Sequence, residues 1–307
     1  MFLSLVMKHI TVGIFGDRSK EIASSLGKKG TANDILIFNH ASSEGVFTYV
    51  CPNGEKIQPL LQCISMSDIP VIVMDELTKE IGEVFVAISE YGFDKGFIIT
   101  KDEKMAREIA KGTCIESFEF VEEKEIRERL AKVEIKKKEE PVIIPVDNYF
   151  DVKSVGAVVL GIVKAGKVKK YDRLMVEPLG KEVLVKGIQS QDKALEETEE
   201  GMRVGLNIKG IKIEEMKRGF IVTDKMEKGD SLVLKFKKSK YYKDEIGEKE
   251  HVLVSAGLQV VTASAKIEGD NIDIKTEAPI AYNKNTKFMI ASTKQSLPRI
   301  IGTGKYL

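Results

Sequence analysis

VDNYFDVKSVGAVVLG, residues 146–161, is where this 307-residue chain changes texture. Val and Leu recur through it, and two glycines, Gly156 and Gly161, punctuate it. The same texture continues downstream in short β runs at 155–163, 173–176, 183–188, 203–208 and 219–222. Gly166, Gly180, Gly201, Gly210 and Gly219 separate these runs, at the turn spacing of a small closed barrel. A second β block follows at 231–236, 251–255, 259–268, 271–276, 287–292 and 299–305.

Upstream of Pro141 the pattern is different. Residues 9–15 read as a buried strand closed by Gly16, and 18–29 as a short helix built on Ile22, Ala23 and Leu26. Strands are expected at 34–38, 46–50, 70–74 and 96–100, and helices at 60–66, 81–91 and 104–111. The run at 70–74 is apolar throughout, as in a strand buried on both faces. Strands alternating with helices predict a parallel α/β sheet. Gly27-Lys-Lys-Gly-Thr31 reads as a turn after the first helix. Residues 122–135 predict a surface helix carrying Ile126, Leu130 and Val133, and 136–140 an exposed charged linker. The expected domains are an α/β domain over 1–140 and two β-barrels over 141–224 and 225–307.

Composition excludes several classes. A hydrophobic fraction of 43% suits a globular chain with real cores, and a net charge of +1 gives no global field for DNA or acidic membranes. Charge is nonetheless graded. Lys+Arg against Asp+Glu is 19 to 24, 14 to 13 and 15 to 10 over the three expected domains, so they carry −5, +1 and +5. A polyanion should prefer the C-terminal part. Cys51, Cys63 and Cys114 are too few and scattered for a disulfide scaffold or zinc site. His9, His40 and His251 form no catalytic or metal spacing. No apolar run reaches the ~20 residues that span a bilayer. The apolar start, residues 1–6, lacks the basic region of a signal peptide. A cytoplasmic location is expected, with no metal and no membrane.

The middle block resembles the second domain of elongation factor Tu and its relatives. The resemblance rests on residues 146–161, on Val163-Lys-Ala-Gly-Lys-Val-Lys-Lys-Tyr-Asp172, on Val185-Lys-Gly-Ile-Gln-Ser-Gln-Asp192, on Gly201-Met-Arg-Val-Gly-Leu-Asn-Ile-Lys-Gly210 and on Lys217-Arg-Gly219. It is similar in particular to the archaeal selenocysteine-specific elongation factor. The last block fits that group through Gly257-Leu-Gln-Val-Val261 and Pro298-Arg-Ile-Ile-Gly-Thr-Gly304. The resemblance implies an α/β P-loop-GTPase-like domain followed by two elongation-factor barrels, a translation factor of protein biosynthesis.

The nucleotide motifs are degenerate. A phosphate-binding loop needs Gly-x-x-x-x-Gly-Lys-Ser/Thr, whose amides cradle phosphate while Lys neutralises it and the hydroxyl holds Mg²⁺. Here Gly16 is followed by Asp17-Arg18-Ser19-Lys20-Glu21, leaving Lys20 near the lysine position and Glu21 at the hydroxyl position. The family's Asp-x-Pro-Gly-His element matches Val50-Cys-Pro-Asn-Gly-Glu55, where Pro52 and Gly54 persist without the Asp or His. Its Asn-Lys-x-Asp element matches Thr100-Lys101-Asp102-Glu103, in which Lys101 could pack on a base and Glu103 replaces Asp. Without metal and a positioned water, phosphoryl transfer loses its driving electrostatics.

By motif position, Asn148, Gln189, Gln191 and Arg203 stand where the family receives the aminoacylated tRNA end; exposed barrel-loop amides and an ion-paired arginine are the bland alternative. Asn148 stands where the selenocysteine factor is expected to have His. The stretch Lys235-Phe-Lys237-Lys238-Ser-Lys240-Tyr241-Tyr-Lys243 could place lysines on phosphates and aromatics on bases, or form a strand with Phe236 and one tyrosine buried and its lysines wet. Three readings stand: a noncatalytic elongation-factor-like protein binding tRNA or another translation component without cofactor, a divergent GTPase using GTP and Mg²⁺ through Lys20 and Lys101, and a protein–protein adaptor docking through the degenerate α/β domain.

Overall fold

The structure, a computed structural model, describes residues 7–135, 141–247 and 250–307. The apolar start and the charged linker at 136–140 therefore lie outside the described residues. The chain divides into two compact units, 1–136 and 137–307.

The first unit is an α/β sheet. In chain order its elements are β1 (His9–Gly16), α1 (Ser19–Leu26), β2 (Lys28–Ala32), β3 (Ile35–Ser42), β4 (Gly45–Pro52), α2 (Ile57–Met66), β5 (Ile69–Met74), α3 (Lys79–Tyr91), β6 (Phe97–Thr100), α4 (Glu103–Ala110), β7 (Glu119–Phe120) and α5 (Ile126–Ala131). The strand order is β2-β3-β4-β1-β5-β6-β7. β1 lies at the centre and is buried on both faces by Ile10, Val12, Ile14 and Phe15. Each such side chain contributes ~1.5–3 kcal/mol. Gly13 is required by packing, since a Cβ there would lie 2.1 Å from Ser67 Oγ at the end of α2. α3 is capped at both ends, with Thr78 Oγ1 accepting from the Ile81 amide at 3.2 Å and Gly92 at φ 75° ending it.

Three expectations are corrected. The first helix stops at Leu26, and Gly27 to Ala32 turns into edge strand β2 instead of a simple turn. The sheet is mixed: β1, β4, β5, β6 and β7 run parallel, while β2, β3 and β4 pair antiparallel. The short Ser43-Glu44 connection forces the β3–β4 hairpin, because a parallel crossover needs a dozen residues or more. The expected surface helix is short α5, and Ile126, Leu130 and Val133 enter the main core at 1%, 0% and 6% exposure.

The second unit holds two barrels. The first is built from β8 (Ile143–Val152), β9 (Gly156–Ile162), β10 (Arg173–Glu177), β11 (Lys181–Ser190), β12 (Lys193–Leu195), β13 (Arg203–Lys209) and β14 (Ile221–Thr223). The order β10-β14-β8-β9-β13-β11-β12 is closed by pairing of β10 with β11, giving a six-stranded ring with β12 appended. Val146, Val159, Val176, Val185, Val204 and Leu206 fill it. The second barrel comprises β15 (Glu227–Lys238), β16 (Glu250–Ala256), β17 (Gln259–Glu268), β18 (Asn271–Tyr282), β19 (Lys287–Ser292) and β20 (Ile300–Tyr306), closed in the order β15-β18-β17-β16-β19-β20. Leu234, Val252, Val254, Ile274, Phe288 and Ile301 form its core. The alternation legible from residue 146 onward is thus the inside–outside alternation of small barrels.

Candidate functional site

Only Asp17 and Arg18 separate β1 from α1. Gly16, at φ 92°, packs so closely on β5 that a Cβ would lie 2.2 Å from the Val73 carbonyl. The Asp17 amide donates to that carbonyl at 3.0 Å. Its carboxylate accepts from the amides of Asp75 at 2.9 Å and Glu76 at 3.3 Å. Arg18, in the left-handed region at φ 49°, grips Asp75 through Nε at 2.6 Å and a terminal nitrogen at 3.0 Å, and reaches Glu123 at 2.8 Å. These bonds hold the Asp75 carboxyl below the usual carboxylate range, with burial opposing and Lys101 adding a weaker pull. They raise the Arg18 guanidinium in turn. Lys20 is exposed on α1.

The remaining motif positions are tied elsewhere. Cys51 is buried, and burial pushes its thiol up to about 12, partly offset by Lys20. Pro52 ends β4 opposite Ile35, the Asn53 amide donates to the Asp34 carbonyl at 2.8 Å, and Gly54 turns at φ 118°. Asp102 caps α4, accepting from the Met105 amide at 2.9 Å, and Glu103 pairs with Arg107 at 3.2 Å. Arg18, Lys101 and Glu103 share a cleft of about 510 Å³ with Asp75, Glu122, Glu123 and Glu125. Five carboxylates thus face two cations. Among the described residues, no group of three or more His, Cys, Asp or Glu could hold a metal ion.

On the outer wall of the first barrel, strand register brings two of the four sequence-predicted residues into one row. Asn148 is opposite Leu160, Leu160 opposite Gly205, and Gly205 opposite Gln189. The row spans about 14 Å at the usual strand spacing. The next row is Phe150, Val158, Asn207 and Gly187. Gln191 lies apart, at φ 50° in the two-residue turn between β11 and β12. Arg203 does not face outward as a free group. It forms a two-pronged pair with Asp147 at 2.7 and 3.2 Å, with side chains 13% and 3% exposed. Asp147 is the extra residue of a bulge between Val146 and Asn148, and the bulge turns it toward Arg203.

On the second barrel, Lys235, Lys237, Lys238, Lys240 and Lys243 are exposed, Tyr241 is half-buried, and Tyr242 enters the core at 5%. Lys238 donates to the Asp244 carbonyl at 2.9 Å, and Lys243 to the Lys240 carbonyl at 3.1 Å. The stretch is a wet-faced strand and turn with Phe236 packed on the core.

Residues 156–223 match the family described as Elongation factor Tu domain 2. The chain is 32% identical to the uncharacterized protein MJ0325 of Methanocaldococcus jannaschii over 97% of its own length and the whole of that protein. It belongs to that protein's family. It is also 25% identical to the selenocysteine-specific elongation factor of the same organism, over 86% of this chain and 67% of that one. Among solved structures, SelB of Methanococcus maripaludis in complex with the GTP analogue GppNHp aligns with TM-score 0.85 and 22% identity, covering 98% of this chain and 79% of that one. A bacterial selenocysteine-specific elongation factor aligns at 0.80 and 18%, over 98% and 58%. The fold of this family member is that of SelB and elongation factor Tu: an α/β domain of nucleotide-binding type followed by two six-stranded barrels. No described helix is long and apolar enough to cross a membrane.

Sequence reasoning missed Phe150, 41% exposed beside Asn148 on the same wall. Period-2 alternation carried the signal, since residues 148 and 150 must share a face. It also missed Asp147, because a bulge is not written in the hydrophobic pattern.

Proposed function

We propose that this chain is a noncatalytic translation-factor relative, cytoplasmic, that binds tRNA or another translation component through its barrels and acts as regulator or carrier without GTP or Mg²⁺. The observation that carries it is the Arg18–Asp75–Glu123 cluster over a two-residue turn. A phosphate cradle needs a longer loop whose amides converge on the anion; this turn is too short to wrap a phosphate, and Asp17 turns its carboxylate onto the amides after β5. The acidic cleft repels a triphosphate, and Glu21 offers no hydroxyl to magnesium. The residues present do not fit a magnesium nucleotide.

The wall carrying Asn148, Gln189 and Phe150 supports the binding half. It offers carboxamides for hydrogen bonds beside an exposed aromatic that can stack on a base or side chain. The exposed lysines of 235–243 supply phosphate contacts. Arg203 then acts by holding the Asn148 strand rather than by touching ligand. A gel shift with aminoacylated and uncharged tRNA at low salt tests this; salt-sensitive binding is expected, and no binding to either rejects it. Titration with labelled GTP and Mg²⁺ tests the other half, and micromolar affinity would establish the divergent-GTPase reading instead.

A further inference from the structure

The outer wall of the second barrel handles its charges in two ways. On β17 and β18 the exposed lysines are matched: Lys266 pairs with Glu268 at 2.7 Å and Lys275 with Asp230 at 2.8 Å. On β15, β20 and β19 lysine stands opposite lysine. Lys235 faces Lys305, and Lys305 faces Lys287. All three are exposed on the outer face, because their chain neighbours Leu234, Tyr306 and Phe288 pack on the barrel core. The row is about 10 Å long at the usual strand spacing. Like charges directly opposite each other destabilise a ladder. Among the described residues, neither Lys235 nor Lys305 has a carboxylate partner. One position along, continuing the β15–β20 register sets Leu307 opposite Val233. These two apolar side chains are 66% and 46% exposed.

We propose that this strip docks an acidic amphipathic helix of a protein partner, with a row of carboxylates on the lysines and an apolar side chain on Val233 and Leu307. Helix residues three and four apart lie about 5–6 Å from each other, close to the ~4.8 Å between strands. One acidic helix face can therefore meet all three lysines, and the flank of that face meets the apolar pair. Nucleic acid suits the strip less. Its outward residues include no aromatic ring on which bases could stack, and the apolar pair has no counterpart on a phosphate chain. The surface goes beyond the tRNA reading, since Lys287 and Lys305 lie outside the 235–243 stretch.

The test is fluorescence anisotropy of the full chain at low salt with a labelled, alanine-based helical peptide of about 18 residues. Its glutamates recur at i, i+4 and i+7, with leucine on the flank of that face; a scrambled peptide of the same composition is the control. The aligned peptide is expected to bind roughly three- to tenfold more tightly than the scrambled one, and to weaken as salt rises. Lys305→Glu puts a carboxylate between two lysines, so it should abolish that preference while raising the midpoint of denaturant unfolding. Lys287→Gln should weaken the aligned peptide roughly two- to fivefold. Val233→Ser should weaken it without changing the salt dependence. Lys235 belongs to the stretch offered to tRNA and stays intact, so Lys287→Gln should leave the tRNA gel shift unchanged and the two readings fail separately. Equal binding of the two peptides, binding of neither, or indifference to Lys305→Glu overturns the proposal. A lower unfolding midpoint in Lys305→Glu does so too, because the row would then be a stabilising part of the barrel. Loss of tRNA binding in Lys287→Gln to match the loss of peptide would assign the row to nucleic acid and likewise overturn it.

Discussion

At the C-terminal end of the α/β sheet, Asp17, Arg18, Asp75 and Glu123 satisfy one another. On the outer wall of the first barrel, Gln189 and the amide group of Asn148 face outward beside exposed Phe150. The first region spends its polar groups on one another. The second leaves polar groups free on a rigid, well-packed wall. Function in this fold resides in groups grafted on the scaffold, so the contrast directs attention from the sheet end to the wall.

The largest expected effect tests whether that wall is rigid because of Arg203. Removing one partner of a buried pair leaves an uncompensated charge, so Arg203→Ala or Asp147→Ala should cost about 3–5 kcal/mol. Denaturant unfolding of the full chain measures it. Arg203→Lys should recover only part of the loss, because an ammonium cannot match the two-pronged geometry. A cost below about 1 kcal/mol would return Arg203 to the list of ligand-contacting residues.

The Arg18 cluster is about one-third exposed, so its loss should cost less. Arg18→Ala is expected to destabilise the first unit by ~1–2 kcal/mol. The effect should also depend on pH. Asp75 has a folded pKa below its unfolded value, so its contribution is present above about pH 4 and lost as pH falls through the folded pKa. The advantage of wild type over Arg18→Ala should therefore shrink below about pH 4. An advantage that stays constant down to strong acid would mean that the pair is not formed in solution. A separate outcome, tight GTP binding by Arg18→Ala alone, would show the cluster to be a plug over an otherwise competent site.

Much of this was legible from residue types. The alternation after residue 146 specified barrels, because period 2 with glycine turns has few other solutions. The apolar run at 70–74 and the helical spacing over 81–91 placed β5 and α3. Edge strand β2 was not legible: Lys28, Lys29 and Gly30 are exposed and polar, and pairing along β3 rather than burial makes the strand. α5 misled because its charges dominate its short sequence while Ile126 and Leu130 do the packing. At the site, the absence of a Gly-x-x-x-x-Gly-Lys-Ser/Thr run after the first strand was visible in the sequence. The filling of the gap was not, since Arg18 meets Asp75 and Glu123 only after the sheet brings β1, β5 and β7 together.

The smallest stability effect is the most informative about function. Asn148 Oδ1 accepts from the neighbouring Tyr149 amide at 2.9 Å, and Gln189 is exposed. Replacing either by Ala should move stability by no more than about 0.5 kcal/mol, as for surface residues without special roles. Phe150→Ala should also cost little, since the ring is 41% exposed and lies outside the barrel core. Binding should respond differently. If the wall receives the aminoacylated tRNA end, each change weakens charged tRNA more than uncharged tRNA, because only the charged form carries the group placed there. Phe150→Ala should lose most, at roughly 1–3 kcal/mol for a lost stacking contact. Equal losses for both forms would move the contact to the tRNA backbone and leave the wall without a pocket. Variants that are stable, folded and unchanged in binding would return the search to the acidic cleft, where five carboxylates face two cations.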